Sequence, residues 1–199
     1  MNFCSQCGAR LSLRIPPGDH LPRYVCDHCH AVHYQNPKLV AGCIPAWEGR
    51  ILLCRRAIEP RLGLWTIPAG FMENGETTAQ AAAREAREEA NADVEVGPLY
   101  ALYDLPGYSQ VYLIFLARLR APEFSPGEES LETRLFAPDE IPWDDLAFLA
   151  VRQSLRQYVA ETRHGHFRFH MGNIHASGDG GHAITPCAAL TGERQPASK

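Results

Sequence analysis

At 199 residues, with 45% apolar and 21% charged side chains, the chain can bury one full core of about 130 residues and carry a small module beside it. A formal net charge of −4 and a pI near 6.1 give no electrostatic footprint for a nucleic-acid backbone. No run of about 18 apolar residues occurs, so no membrane-spanning helix is expected.

The N-terminal stretch carries Cys4-x2-Cys7 and, after 18 intervening residues, Cys26-x2-Cys29. That spacing predicts a zinc ribbon in which four thiolates close a tetrahedral Zn²⁺ site. Gly8 after the first pair and the turn Pro16-Pro17-Gly18 fit two knuckles joined by a hairpin. Disulfides and a thioredoxin-like CxxC are the alternatives. No apolar leader precedes these cysteines, which favours a reducing compartment and a cytoplasmic location. His28, His30 and His33 are read as surface residues or donors to the sulfurs. The ribbon's small basic excess (Arg10, Arg14, Arg23 and Lys38 against Asp19 and Asp27) is cancelled by a four-thiolate zinc site. It is therefore read as structural, and nucleic acid as an unlikely partner. Residues 1–36 form this ribbon, with Gln35-Asn36-Pro37 as the linker.

Residues 37–170 read as the main domain. Leu39 to Trp47 and Ile51 to Arg55 are two strands joined at Glu48-Gly49-Arg50. Leu64 to Ile67 leads into the loop Pro68-Ala69-Gly70. Val94 to Leu102 and Val111 to Leu119 are further strands, the latter a long apolar run suited to a doubly covered position. Thr133 to Phe136 is a short strand, and Leu146 to Thr162 a closing amphipathic helix. Cys43 and Cys54, in apolar strands, are expected to be buried thiols. Residues 171–199, rich in Gly, Ala, Ser and Thr, are expected to be a mobile tail, and their His175 and His182 show no metal-like pattern.

The segment Gly70 to Ala92 stands apart. Thr77 can cap a helix while Gln80 reaches back to it, and Asn91 suits a left-handed C-terminal residue. A helix is therefore expected over Thr78 to Ala90. On it Glu85, Glu88 and Glu89 stand at i, i+3 and i+4, and all three emerge on one face near the negative end of the helix dipole. A solvated helix would place cations there. An ordinary charged surface helix is the alternative, but the opposite stripe of Ala79, Ala82, Ala83, Ala86 and Ala90 is built to lie close on a sheet. A hard divalent cation such as Mg²⁺ or Mn²⁺, which takes oxygen ligands, would make the cluster a site.

These residues carry a resemblance. Gly70, Glu76, Arg84, Glu85, Glu88 and Glu89 resemble the Nudix box, G-x5-E-x7-R-E-U-x-E-E-x-G-U with U aliphatic, a match expected by chance roughly once in 10⁷ starting points. The box's last glycine is Asn91 here, and Ala86 and Ala92 fill its aliphatic places. The resemblance implies an α/β fold, a Nudix α/β/α sandwich around a mixed sheet. It also implies that Glu85, Glu88, Glu89 and the Gly70 carbonyl hold Mg²⁺ or Mn²⁺, that Glu76 and Arg84 form a structural ion pair, and that a diphosphate is hydrolysed. Glu132, in ESLETRLF, looks like the later glutamate that many members turn toward the metals. Its alternative is an exposed edge-strand carboxylate.

The ribbon-plus-box layout is shared with NADH pyrophosphatases, but their Ser-Gln-Pro-Trp-Pro element has no counterpart after Tyr103. LCRRAIEPR, LWTIPAGFMENGE, VYLIFLARL, FSPGEESLETRLF and DEIPWDDLAF are closer to a ribbon-containing Nudix group that includes a plant chloroplast enzyme cleaving FAD and ADP-ribose. The implied reaction turns an ADP-X diphosphate, a small nucleotide, into AMP and X-phosphate. NADH or NAD-capped RNA is the rival substrate, and a nucleotide sensor without hydrolysis the rival class. Arg55 and Arg56 are candidates to fork onto a phosphate, with a surface ion pair as the equal alternative. Tyr108 is the candidate to stack on a base, though tyrosines spaced as Tyr103, Tyr108 and Tyr112 are more often core or rim residues. Trp65 is assigned to the core. The family habit of building sites near subunit interfaces implies a homodimer.

Overall fold

The computed structural model describes residues 1–176 and 182–187, which form two compact units, Met1–Pro37 and Lys38–Lys199. In the first, strands β1 (Leu11–Arg14), β2 (Arg23–Cys26) and β3 (Val32–His33) make an antiparallel sheet in that order. The expected turn closes β1 onto β2, with the Asp19 N–H on the Pro16 carbonyl (3.1 Å) and Arg14 opposite Arg23. Asp19 accepts from the backbone of His20 and Leu21 and from Arg23 Nε (2.9 Å). Arg23 above all holds its carboxyl down at about 2. Cys4, Pro16, Val25 and Cys26 are the buried residues of a module too small for an apolar core of its own.

The second unit is a mixed sheet between two helices. Its strands are β4 (Lys38–Trp47), β5 (Arg50–Arg56), β6 (Trp65–Thr66), β7 (Ala69–Phe71), β8 (Val94–Leu105), β9 (Gln110–Leu119), β10 (Ser130–Phe136), β11 (His170–Ala176) and β12 (His182–Pro186). The spatial order is β10-β5-β4-β9-β8-β11-β12, with β6 on β5 and β7 on β4. β4 runs parallel to β9 over its whole length, and β8 runs antiparallel to β9. Helix α1 (Thr78–Ala90) covers one face and α2 (Leu149–Thr162) the other.

Period-two alternation builds both cores from the same strands. Ile44, Ile51, Leu53 and Ile114 join Val151 and Leu155 of α2, while their neighbours Cys43, Leu52, Cys54 and Phe115 join Ala82, Ala86 and Ala90 of α1. β9 is thus the doubly covered strand its apolar run predicts, and Cys43 and Cys54 are buried. Trp65 packs edge-on against Phe136, centroids 4.9 Å apart, as a core residue.

Two expectations need correction. The closing helix begins at Leu149, not Leu146, because Leu146 bridges to Trp65 and the Ala147 N–H donates to the Trp65 carbonyl (2.8 Å). The segment from 171 onward is not all tail. β11 pairs in parallel with β8 from His170 opposite Ala101 to Asn173 opposite Asp104, and β12 folds back on β11. Ile174 is buried in the core. Glu161, near the end of α2, pins the start of β11: it accepts from Tyr100 Oη (3.0 Å) and the Arg168 N–H (3.2 Å) and lies 3.0 Å from His170 Nε2. His175 lies in β11 and His182 opens β12, while residues 177–181 and 188–199 lie outside the described residues.

Candidate active site and metal centres

Local sequence places the acidic cluster. Thr77, extended at φ −81° and ψ 159°, accepts from the Gln80 N–H through Oγ1 (3.2 Å), and its own N–H donates to Gln80 Oε1 (2.8 Å). Asn91, left-handed at φ 46° and ψ 32°, ends the helix, so α1 spans the residues its capping signals predict. Ala81, Ala82, Ala86 and Ala90 sink into the sheet and leave Glu85, Glu88 and Glu89 along one edge. Glu85 and Glu89 are buried, whereas the Glu88 side chain is 58% exposed.

Arg84 organises this edge. Its Nε and Nη2 fork onto Glu76 at 3.0 and 2.8 Å, and Nη2 also reaches the Phe71 carbonyl at 3.1 Å. Nη1 donates to Glu85 Oε1 and to Glu88 Oε2, both at 2.8 Å. One guanidinium thus folds the 71–76 loop back along the helix and holds two of the three acids. The Arg84 fork, aided by the Glu73 N–H, keeps the Glu76 carboxyl down at about 2.

Glu89 is the opposite case. Its Oε2 accepts only a long bond from the Ala69 N–H (3.3 Å), and burial, with Glu85 beside it, pushes the carboxyl up to about 8. Burial raises Glu85 too, against the pull of Arg84. Two buried acids at a helix C-terminus are a local deficit of positive charge. The backbone of Gly70 lies against Glu85: a Cβ there would overlap the Glu85 carboxylate and push it aside, so glycine lets this carbonyl-bearing loop approach with that carboxylate in place. Hard oxygen donors, excess negative charge and an open approach together suit a divalent cation such as Mg²⁺ or Mn²⁺.

The three acids and Gly70 line one end of a cavity of about 990 Å³. Arg56, only 8% exposed and stacked over the Phe148 ring at 5.2 Å, lines it as well, with Nε held by the Pro60 carbonyl (2.9 Å). Val40, Phe71, Tyr108, Tyr112 and Ile174 supply apolar and aromatic wall.

The cysteines form a second, separate cluster. Sγ atoms of Cys4 and Cys29 are 3.7 Å apart, Cys7 and Cys26 3.4 Å, Cys7 and Cys29 3.5 Å, and all four lie within 4.8 Å of one another. Sulfurs at Zn–S distances on a tetrahedron are about 3.8 Å apart, so the cluster fits Zn²⁺. The N–H groups of Gln6, His28 and Cys29 point at sulfurs, and His33 Nε2 lies 3.3 Å from Cys4 Sγ, as a donor to the sulfur would.

Residues 2–35 match the zinc-ribbon Nudix N-terminal domain and residues 36–161 the NUDIX domain. The chain belongs to the Nudix family. It is 32% identical over 145 residues to the NAD-capped RNA hydrolase NudC of Vibrio vulnificus, covering 71% of this chain and 53% of that protein. It is 36% identical over 170 residues to the protein of the same name from Vibrio atlanticus, covering 82% and 59%. The chain thus spans little more than half the length of these curated relatives. Among solved structures, a NUDIX hydrolase from Nitrosomonas europaea superposes with a TM-score of 0.85 at 59% identity, over 87% of this chain and 99% of that one. An ADP-ribose pyrophosphatase from Streptococcus suis matches at 25% identity and TM-score 0.56, over 68% and 99%.

Within the Nudix unit the other sequence candidates separate. Arg56 and Tyr108 reach the cavity beside the box residues. Arg55 and Glu132 do not line it. They sit opposite each other on β5 and β10, and Arg55 Nη1 lies 3.7 Å from Glu132 Oε2 with both side chains nearly half exposed. Arg55 Nε turns away to the Gly63 carbonyl (3.0 Å). The acids that do line the cavity from this region are Glu128 and Glu129, just before β10. A register shift between Ser130 and Glu132 interrupts β10, and Glu132, expected from its likeness to a later family glutamate, stands on the exposed edge-strand pair that was its alternative. The turn signal Ser125-Pro126-Gly127 directly ahead of Glu128 and Glu129 was the available clue. Among the described residues, no helix is long and apolar enough to cross a membrane.

Proposed function

We propose that this chain is a divalent-cation-dependent hydrolase of ADP-X diphosphates, ADP-ribose or FAD, giving AMP and X-phosphate, with a structural Zn²⁺ in its ribbon. One observation carries the reading: Glu85, Glu88, Glu89 and Gly70 form the acidic end of a cavity that Arg56 and an aromatic wall complete. A diphosphate needs cations around its oxygens, and the flat groups it joins need apolar and aromatic surface.

Glu85, Glu88, Glu89 and the Gly70 carbonyl would hold Mg²⁺ or Mn²⁺, which when bound supplies Lewis-acid chemistry to the diphosphate and the attacking water. Arg84 and Glu76 fix the loop and helix against each other, so the acids keep their spacing. Arg56, held by Pro60 and Phe148, presents its remaining N–H groups to a phosphate oxygen. Glu129, which takes the place first given to Glu132, accepts the proton of the attacking water. Tyr108, 57% exposed at the cavity rim, covers the base or flavin ring. A homodimer is part of the proposal and is read from the mass in solution.

The NudC relatives support a second reading, hydrolysis of NADH or NAD-capped RNA, against which stands the missing Ser-Gln-Pro-Trp-Pro element. Product analysis separates the two. The zinc-loaded protein is incubated with FAD, ADP-ribose, NADH and NAD-capped RNA, with Mg²⁺ or with excess EDTA. AMP from FAD or ADP-ribose only with Mg²⁺ is expected. Preference for NADH or capped RNA moves the chain to the second reading, and tight nucleotide binding without turnover makes it a sensor.

A further inference from the structure

The connection between β9 and β10 reaches the cavity by way of the C-terminal end of α1. Asn91 closes that end with its backbone N–H on the Ala86 and Arg87 carbonyls, a task for which a left-handed glycine serves equally well. The side chain adds something glycine cannot. Its Nδ2 lies 3.2 Å from the Ser125 carbonyl, 3.1 Å from Ser125 Oγ and 3.1 Å from the Pro126 carbonyl. An amide nitrogen has two protons to give, and here both are aimed at one turn.

That turn is otherwise tied to the helix only by backbone. The Ser125 N–H donates to Ala90 (2.9 Å) and the Gly127 N–H to Glu89 (3.0 Å). Gly127 is pressed so closely onto the helix that a Cβ would overlap the Glu88 carbonyl oxygen at 1.7 Å. The next two residues, Glu128 and Glu129, line the cavity. The Glu129 carbonyl accepts from the Ala57 N–H (2.8 Å), next to Arg56. A single side chain at the helix end therefore stands at the root of a turn that delivers a carboxylate opposite the acidic trio.

We infer that Asn91 is a positioning residue: its amide fastens the 125–129 turn to α1 and so sets Glu129 against Glu85, Glu88 and Glu89. The inference rests on the hydrolase reading for its kinetic consequence, and on geometry alone for the tether. A carboxylate that takes a proton must be held to a fraction of an ångström, whereas substrate binding by the opposite wall does not depend on it.

Asn91→Gly tests it, because glycine keeps the left-handed cap while deleting the amide. Asn91→Asp keeps size and conformational preference but replaces the donor with an acceptor facing two carbonyls. For both variants kcat is expected to fall about 10-fold with KM within about two-fold of the parent, and the melting temperature to stay close to it. Amide exchange at Ser125 and Gly127 should quicken while the middle of α1 is unchanged. In a Glu129→Gln background, Asn91→Gly should cost little more, since the two act through one carboxylate. Unchanged kcat and exchange, or full additivity with Glu129→Gln, overturns the inference. Should the parent protein hydrolyse no diphosphate, the functional reading falls. The exchange rates then still decide the tether: faster exchange at Ser125 and Gly127 upholds it, and equal exchange ends it.

Discussion

The two regions proposed to hold metal ions are opposites in construction. The four cysteine sulfurs of the ribbon already stand within 4.8 Å of one another, and little else holds that unit together. The three acids of α1 are splayed, two of them clasped by Arg84, and hang on a helix secured by its own alanine face. The first arrangement makes the ion part of the fold, as a closed tetrahedral site does; the second leaves coordination positions for a substrate. A thiolate cluster with a shallow core and a carboxylate cluster beside a deep one should therefore fail in different ways.

The largest failure expected is that of the ribbon. Stripping Zn²⁺, or Cys26→Ser, should abolish amide protection throughout β1 to β3 while Ile114 and Phe115 in the Nudix unit keep theirs. Hydrogen exchange followed residue by residue checks this, and protection retained in β2 without metal would break the contrast. On the other side, Glu88→Gln or Glu89→Gln should reduce turnover at least about 100-fold while leaving zinc content and fold intact. Full turnover in either variant would sink the site assignment.

A third comparison separates two glutamates three residues apart. Glu129→Gln should lower kcat by about 10²-fold or more, the usual loss of a general base, whereas Glu132→Gln on its exposed ion pair should stay within about two-fold. The reverse result would restore Glu132, the glutamate that the family resemblance favours.

The smallest effect concerns pH, and its sign distinguishes buried from paired acids. Glu89, raised to about 8 in the folded chain, keeps a proton that the unfolded chain has lost above its ordinary value of 4.5. Between those two pH values the folded state binds more protons, so the stability of the divalent-free protein should fall as pH rises, by at most ~1.4 kcal/mol per unit. Glu76 acts in the other direction: the stability its pair with Arg84 contributes is present above pH 4.5 and is lost as pH falls toward about 2. Thermal melts in EDTA from pH 5 to 8 should show the decline, and Glu89→Gln should flatten it.

What could be read in advance follows the range of the interactions involved. The caps of α1, the trio at i, i+3 and i+4 and the paired CxxC knuckles are all written within a few residues, and the helix, its acidic edge and the cysteine cluster were legible from them. Helix α2 begins late because of a backbone bond to Trp65, some eighty residues earlier. Glu129, in the loop before β10, lines the cavity through the folded path of that loop, which no local pattern shows. β11 looks like a tail because its signal, a buried Ile174 two residues after a buried Gly172, means something only beside β8. Residues on the cavity wall come from β4, β5, β7, α1, β8, β9, α2 and β11, so its shape is nowhere local.

That last strand has a consequence for divergence within the family. Ile174 lines the cavity from a segment beyond residue 161, where the match to the NUDIX domain ends, together with the acids of α1. A chain that alters or exchanges this C-terminal hairpin reshapes the substrate chamber without touching a single residue of the box. Under the proposed function, substrate range can then drift by changes outside the box while the box residues are inherited unchanged.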